Sequence, residues 1–277
     1  MSLEYHDVVD GDLVSHPDIR TMAALYSLTR THFQDHLRSI RQQNAQVDVI
    51  RSFRRWQNRL PVLLTFDDGA LNACCAADEL EKNGWRGHFF VVTNWIGRSE
   101  FLNGRQIRDL RDRGHVIGSH SCSHPERMSH LSRTEMTREW SESCAVLSDI
   151  LGESVKVASV PNGYYSREVA RAAAAAGLEV LFTTEATATC SVIDGCLILG
   201  RYLIHWNTPA ETAGAIAAGN LWPRWKQTLL WEAKKLLKGV MGKSYPAARR
   251  AILAGWMPPV QTSCRNQNVR GQPKRET

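Results

Sequence analysis

The sequence has no uninterrupted apolar run approaching eighteen residues, so nothing in it reads as a membrane-spanning helix. Its start, Met1-Ser2-Leu3-Glu4-Tyr5-His6-Asp7, has neither the basic residues nor the apolar stretch of a secretory signal, which argues against export by that route. The seven cysteines (Cys74, Cys75, Cys122, Cys144, Cys190, Cys196 and Cys264) are odd in number and follow no zinc-finger spacing. That usage fits reduced thiols in a cytosol. Acids are scarce in one place: from Leu221 to Arg250 there are eight lysines and arginines against the single Glu232. This segment carries +7 and accounts for the whole formal net charge of +6, leaving the rest close to neutral. No nucleic-acid module or aromatic-basic platform accompanies the charge, so nucleic acid is not the expected partner.

What is present is an ordinary globular composition, 43% hydrophobic and 22% charged over 277 residues, enough for one α/β catalytic domain with appendages. The apolar run Pro61 to Phe66 ends in Thr65-Phe66-Asp67-Asp68-Gly69, and His120-Ser121-Cys122-Ser123-His124-Pro125 follows some fifty residues later. Two adjacent carboxylates at the end of a buried strand and two imidazoles four residues apart supply three ligands for a divalent metal and leave one carboxylate as a base. The plainer alternative has Asp67 and Asp68 capping a helix and the histidines lining a turn. A cap needs one carboxylate, however, and leaves both histidines unexplained. Cys122, between the histidines, is a conceivable soft ligand, but a small buried spacer is the better reading.

At these motifs, and at Pro161-Asn162-Gly163-Tyr164, the chain resembles the polysaccharide deacetylases of the nodulation-type carbohydrate esterase class, from about Val62 to Arg201. The resemblance implies metal-dependent hydrolysis of an N-acetyl group on an amino sugar. Asp68, His120 and His124 would hold the metal, with zinc the expected ion, and Asp67 would be the base. Pro161 and Gly163 would shape a substrate-binding loop in which the backbone N–H of Tyr164 serves as oxyanion donor. Three departures stand out. Ser159 replaces an arginine that orients the base, Thr183-Thr184-Glu185 offers no match to the family's aspartate, and His205, the candidate general acid, lacks the acid that often follows it. His205 reads equally well as a strand histidine in the core, and His6 is a second candidate if its strand ends at the same rim. Bland roles are expected for His88, His115 and His130.

Apolar patterning predicts a strand at Leu3 to His6 and an amphipathic helix carrying Met22, Leu25, Leu28, Phe33, Leu37 and Ile40. Beyond it strands and helices alternate: a strand at Val62 to Phe66, a helix from about Leu71 to Asn83, a strand at Gly87 to Thr93, a helix at Gly104 to Arg113 and a strand at Val116 to Ser119. A helix opened by the capping box Ser132–Glu135, a strand at Val155 to Val160, a helix from Ser166 to Ala176 and a strand at Glu179 to Thr183 continue the pattern. Site residues at the carboxyl ends of parallel strands argue for a barrel. The resemblance implies an irregular seven-stranded (β/α) barrel related to the TIM barrel; periodicity alone does not separate it from an open doubly wound sheet.

The expected organisation is a catalytic domain over 1–218, a basic amphipathic helical extension over 219–261 and a disordered tail over 262–277. In the extension Trp222, Trp225, Leu229, Ala233, Leu236, Leu237 and Val240 form an apolar stripe between lysines, either an interfacial helix on a membrane through 221–240 or a helix docked on its own barrel. The function expected is N-deacetylation of a surface-polysaccharide precursor in the cytoplasm, or peripherally at the inner membrane face. The alternatives are an amidase or deformylase acting on a lipid-linked amino sugar or small amide, and a catalytically dead glycan-binding relative.

Overall fold

The structure, a computed structural model, describes residues 1–11, 25–51 and 61–241. Met22, the basic residues beyond Met241 and the 262–277 tail lie outside them. Short strands in which every residue is buried build the centre: β1 Ser2–Tyr5, β4 Leu63–Phe66, β5 His88–Val91, β6 Val116–Ser119, β7 Val157–Ser159, β8 Val180–Phe182 and β10 Cys196–Leu199. With β9 Cys190–Ile193 and β11 Tyr202–Leu203 they form one nine-stranded sheet, ordered β11-β1-β4-β5-β6-β7-β8-β10-β9. All neighbours pair in parallel except β9, antiparallel to β10. A small parallel pair, β2 Asp7–Val9 and β3 Ser27–Thr29, stands apart.

The sheet is curled into a half-barrel. In a flat sheet β4 and β10 would lie five strand spacings apart, about 24 Å, yet Arg201 just past β10 reaches Thr65 and Asp67 of β4 at 3.1 and 2.7 Å. Outward side chains such as Leu64, Phe66, Phe89, Ala158 and Leu181 join the large core shared with the helices. Inward ones, Leu63, Phe90, Val116, Val157, Val180, Phe182, Leu197 and Leu199, fill a smaller inner core. Gly118 is required there, since a Cβ would sit 2.6 Å from the Phe90 ring and 2.7 Å from the Val157 carbonyl.

The helices are α1 Arg30–Gln42, α2 Ala73–Lys82, α3 Gly104–Asp112, α4 Arg133–Leu151, α5 Arg167–Ala175, α6 Ala210–Ala217 and α7 Leu221–Met241. The Ser132–Glu135 capping box opens α4 as the sequence indicates, and Ser166 caps α5. The amphipathic helix starts later than its apolar spacing suggests. Ser27–Thr29 pairs with β2, Thr29 then accepts from the His32 amide, and Leu25 and Leu28 are buried ahead of the helix.

Candidate metal centre and active site

The period of two along each strand determines which residues enter the barrel. Glu4 and His6 continue the inward positions of β1, Thr65 and Asp67 those of β4, and His120 that of β6. Ser159 ends β7 inward, Thr184 follows β8 and Arg201 follows β10. One apolar interior is thus topped by a ring of polar side chains at the strands' carboxyl ends. Asp68 would point away by this count, but it takes φ 73°, and Ser121 and His124 take φ 66° and 56°. Left-handed backbone is costly for side-chain-bearing residues and collects at functional sites. Here it turns Asp68 and His124 toward His120.

The Oδ1 atom of Asp68 lies 3.4 Å from His120 Nε2 and 3.4 Å from His124 Nε2. Two bonds of about 2.1 Å at a tetrahedral angle separate their ligand atoms by about 3.4 Å, so the trio fits a small divalent ion such as zinc. The far side of His120 supports this: Nδ1 lies 2.6 Å from Ser159 Oγ and 3.1 Å from the Ser159 carbonyl, which orients the ring so that Nε2, whose proton a bound ion would replace, faces Asp68. Burial pushes the Asp68 carboxyl up, but hydrogen bonds from His120 and His124 hold it well below the usual range, so it is anionic. Cys122 is not part of the trio. Its Sγ faces Asn94 and Glu142, and burial raises the thiol. The loop carrying the histidines is held from α4 by Glu139, whose carboxylate accepts from the amides of Cys122 and Ser123 at 3.0 and 2.8 Å.

Asp67 sits beside the trio and is buried. Its Oδ1 and Oδ2 accept from Arg201 Nη1 and Nη2 at 2.7 and 2.8 Å, and Oδ1 also accepts from Ser159 Oγ at 3.2 Å. The guanidinium has no exposed surface, lies 5.8 Å above the Phe90 ring and donates from Nε to the Thr183 carbonyl. The arginine absent at position 159 is therefore supplied from another strand. Glu4 shares it, with Oε2 3.3 Å from Arg201 Nε. One cation between two buried carboxylates separates their behaviour. Burial pushes Glu4 up to about 7 despite Arg201, with Asp67 adding to the rise, while for Asp67 the pull of Arg201 and His120 overcomes burial and keeps it below its usual range.

A ring nitrogen of His6 and carboxylate oxygens of Glu4 and Asp67 all lie within 4.8 Å of one another. Burial lowers the His6 pKa against the charges of Asp68 and Asp67, and its ring stacks on Tyr26 at 4.8 Å. His205 packs on Tyr26 at 5.3 Å, and its amide is tied to Thr208. His6, then, meets the carboxylates, and His205 shares the Tyr26 ring with it. Pro161 and Gly163 are buried in the loop after β7, and the Tyr164 amide donates to the Pro161 carbonyl at a long 3.4 Å. The Tyr164 ring turns to Arg127 and His130. His88 and His115 are structural, bonded to Ile50 and to Gly87 and Glu81. Motif reading missed Glu4 and Arg201, whose signal was a charged residue at an inward position of an apolar strand.

Comparison with known proteins bears on this arrangement. The polysaccharide deacetylase family model matches residues 56–181. The chain carries a polysaccharide deacetylase domain. Over 190 residues it is 25% identical to YxkH of Bacillus subtilis, assigned as a polysaccharide deacetylase, covering 66% of this chain and 63% of that one. Over 67 residues it is 39% identical to the chitin deacetylase of Colletotrichum lindemuthianum, 24% of this chain and 27% of that one. The alignments thus span less than two thirds of these relatives. The deacetylase PplD of Streptococcus pyogenes, 22% identical, superposes with a TM-score of 0.65 over 78% of this chain and 96% of its own. The curled, mostly parallel half-barrel is the fold of that family.

Proposed function

We propose that this polysaccharide deacetylase domain is an active metal-dependent N-deacetylase that releases acetate from an amino sugar of a glycan or surface-polysaccharide precursor. The observation that carries the reading is the convergence of Asp68, His120 and His124 at ligand spacing beside a buried, arginine-held Asp67. A divalent ion held by the trio would supply Lewis acidity toward the acyl oxygen and the attacking water. Zinc is the ion that the one-carboxylate, two-imidazole set suits best.

Asp67 takes the proton of the water that adds to the acyl carbon. Arg201 and Ser159 keep its carboxylate in one orientation, and Arg201 keeps it ionised in the free protein. As the tetrahedral centre collapses, the carbon–nitrogen bond breaks and the amine leaves with a proton. The donor we assign to that step, in preference to His205, is the Glu4–His6 pair: Glu4, raised to about 7, carries the proton, His6 at 4.0 Å relays it to the amine, and the proton Asp67 took from the water restores it. Pro161 and Gly163 border the substrate, and the Tyr164 amide can exchange its long bond to Pro161 for the developing oxyanion at small cost.

Ser159 no longer argues for an inert glycan binder, because Arg201 provides the contact that Ser159 cannot. We place the activity in the cytoplasm on the sequence alone, whose cysteines are odd in number and follow no zinc-finger spacing. The test is acetate release from a panel of N-acetylated oligosaccharides, with N-formyl and simple amide substrates alongside. Acetate release that scales with bound metal is the expected result. Turnover confined to the formyl or simple amide substrates would replace this reading with the amidase or deformylase one.

A further inference from the structure

The last helix is mounted inside out. An α-helix on a domain surface ordinarily buries its apolar stripe and offers its polar side to water. The first part of α7 rests on the barrel through polar groups. Arg224 donates from Nε to Tyr202 Oη at 3.0 Å and from Nη1 to the Gly219 carbonyl at 3.1 Å. Gln227 donates to the Leu203 carbonyl at 3.3 Å, and Thr228 to the Ala186 carbonyl at 2.5 Å. Trp231 turns inward against Gly163 and the core. The apolar side chains Leu221, Trp222, Trp225, Leu229 and Leu230 are 48% to 76% exposed, the first three along an open groove shared with Thr187, Ala188, Thr189 and Tyr202 of the barrel.

These five residues repeat at helical spacing, and the Trp222 and Trp225 rings lie 6.0 Å apart, so they form one contiguous patch. Among the described residues nothing covers it. Exposed apolar patches of this kind mark sites of association. The charge of the segment indicates what associates. Lys226 and Glu232 are both exposed beside the patch, and beyond this pair the stretch Leu221–Arg250 holds seven further basic residues and no acid, while the rest of the chain is near neutral. A second copy on the same face would bring two such segments together and repel. An anionic surface would attract both, and tryptophan favours the bilayer–water interface. No helix of the described residues is long and apolar enough to cross a membrane, so the contact is a peripheral one.

We propose that the outward face of α7, formed by Leu221, Trp222, Trp225, Leu229 and Leu230, docks the protein onto anionic lipid, with the helix lying along the surface and its indoles in the interface. The docking is independent of hydrolysis. Its failure would leave the N-deacetylase reading standing, and the reverse also holds.

The test is flotation of the full chain with phosphatidylcholine vesicles and with vesicles containing phosphatidylglycerol, at low and high salt. The protein should float with anionic vesicles at low salt, stay behind with neutral ones, and be released by salt because the charges are exposed. A Trp222→Ser, Trp225→Ser, Leu229→Ser variant, shown by circular dichroism to be folded, should bind at least about ten-fold more weakly, since interfacial affinity scales with buried apolar area. Three results would overturn the proposal. They are no flotation of the wild type with anionic vesicles at low salt, a triple variant that floats as well as the wild type, and a dimer in sedimentation that the triple variant abolishes, which would put a second copy on the face.

Discussion

Arg201 grips Asp67 with two parallel hydrogen bonds of 2.7 and 2.8 Å although the residues lie 134 positions apart. Two donors in a rigid fork fix both the orientation and the ionisation of the carboxylate, which a lysine cannot do. Arg201→Lys should therefore keep the metal and the fold while lowering kcat on the order of 10- to 100-fold with KM little changed. Steady-state kinetics with metal analysis checks this. An unchanged kcat would mean that Asp67 does not depend on the grip.

Glu4 lies on the first strand and His6 just past its end, far from the motifs along the chain but within reach of Asp67. If His6 delivers the proton to the departing amine, His6→Gln should lower kcat by about 100-fold or more, the usual scale for a general acid. His205→Gln, whose ring packs on Tyr26, should have a much smaller effect. The opposite ranking of the two variants would return the role to His205.

Much of the barrel is legible from the order of apolar quartets. Leu63–Phe66 and Val116–Ser119 end where their patterns end, β5 stops at Val91 short of the expected Thr93, which opens a 3-10 turn, and Gly84 and Gly114, both with positive φ, follow α2 and α3. The β9–β10 hairpin was signalled by Asp194-Gly195, a turn pair with positive φ at both residues, but β9 is exposed and lacks the apolar run that identifies the other strands. The start of α1 was obscured because Leu25 and Leu28 are apolar for a different reason, burial beside a short parallel pair. The metal trio was legible because its members sit in two compact motifs. Arg201 was not, since a motif compares positions along the chain, whereas a closed sheet lets any inward position reach the same point in space. Ser159 marks a missing arginine in sequence and a replaced one in structure.

Two buried histidines outside the site make the fold sensitive to acid. Burial lowers His36 and His88 to about 4 from the ordinary 6.5, against partial support from carbonyl contacts at Thr208 and at Leu64 and Ile50. The unfolded chain binds protons below about pH 6.5 where the folded chain does not, so their contribution is full above 6.5 and is lost as pH falls toward 4. By pH 5 each should have lost about 2 kcal/mol. The imidazole signals of both residues, followed by NMR on the folded protein, should stay in their neutral positions down to about pH 5. Titration of either near 6.5 would contradict the assignment.

The central claim divides the labour of four residues: Asp68, His120 and His124 would hold a metal, and Asp67, held ionised by Arg201, would take the proton of the attacking water. The most direct measurement takes metal content and acetate release together on purified wild type, Asp67→Asn and His124→Ala. His124→Ala should lose most metal and all measurable turnover, while Asp67→Asn should remain loaded and release no acetate. A metal-depleted Asp67→Asn, or a His124→Ala protein that keeps both metal and activity, would contradict the account.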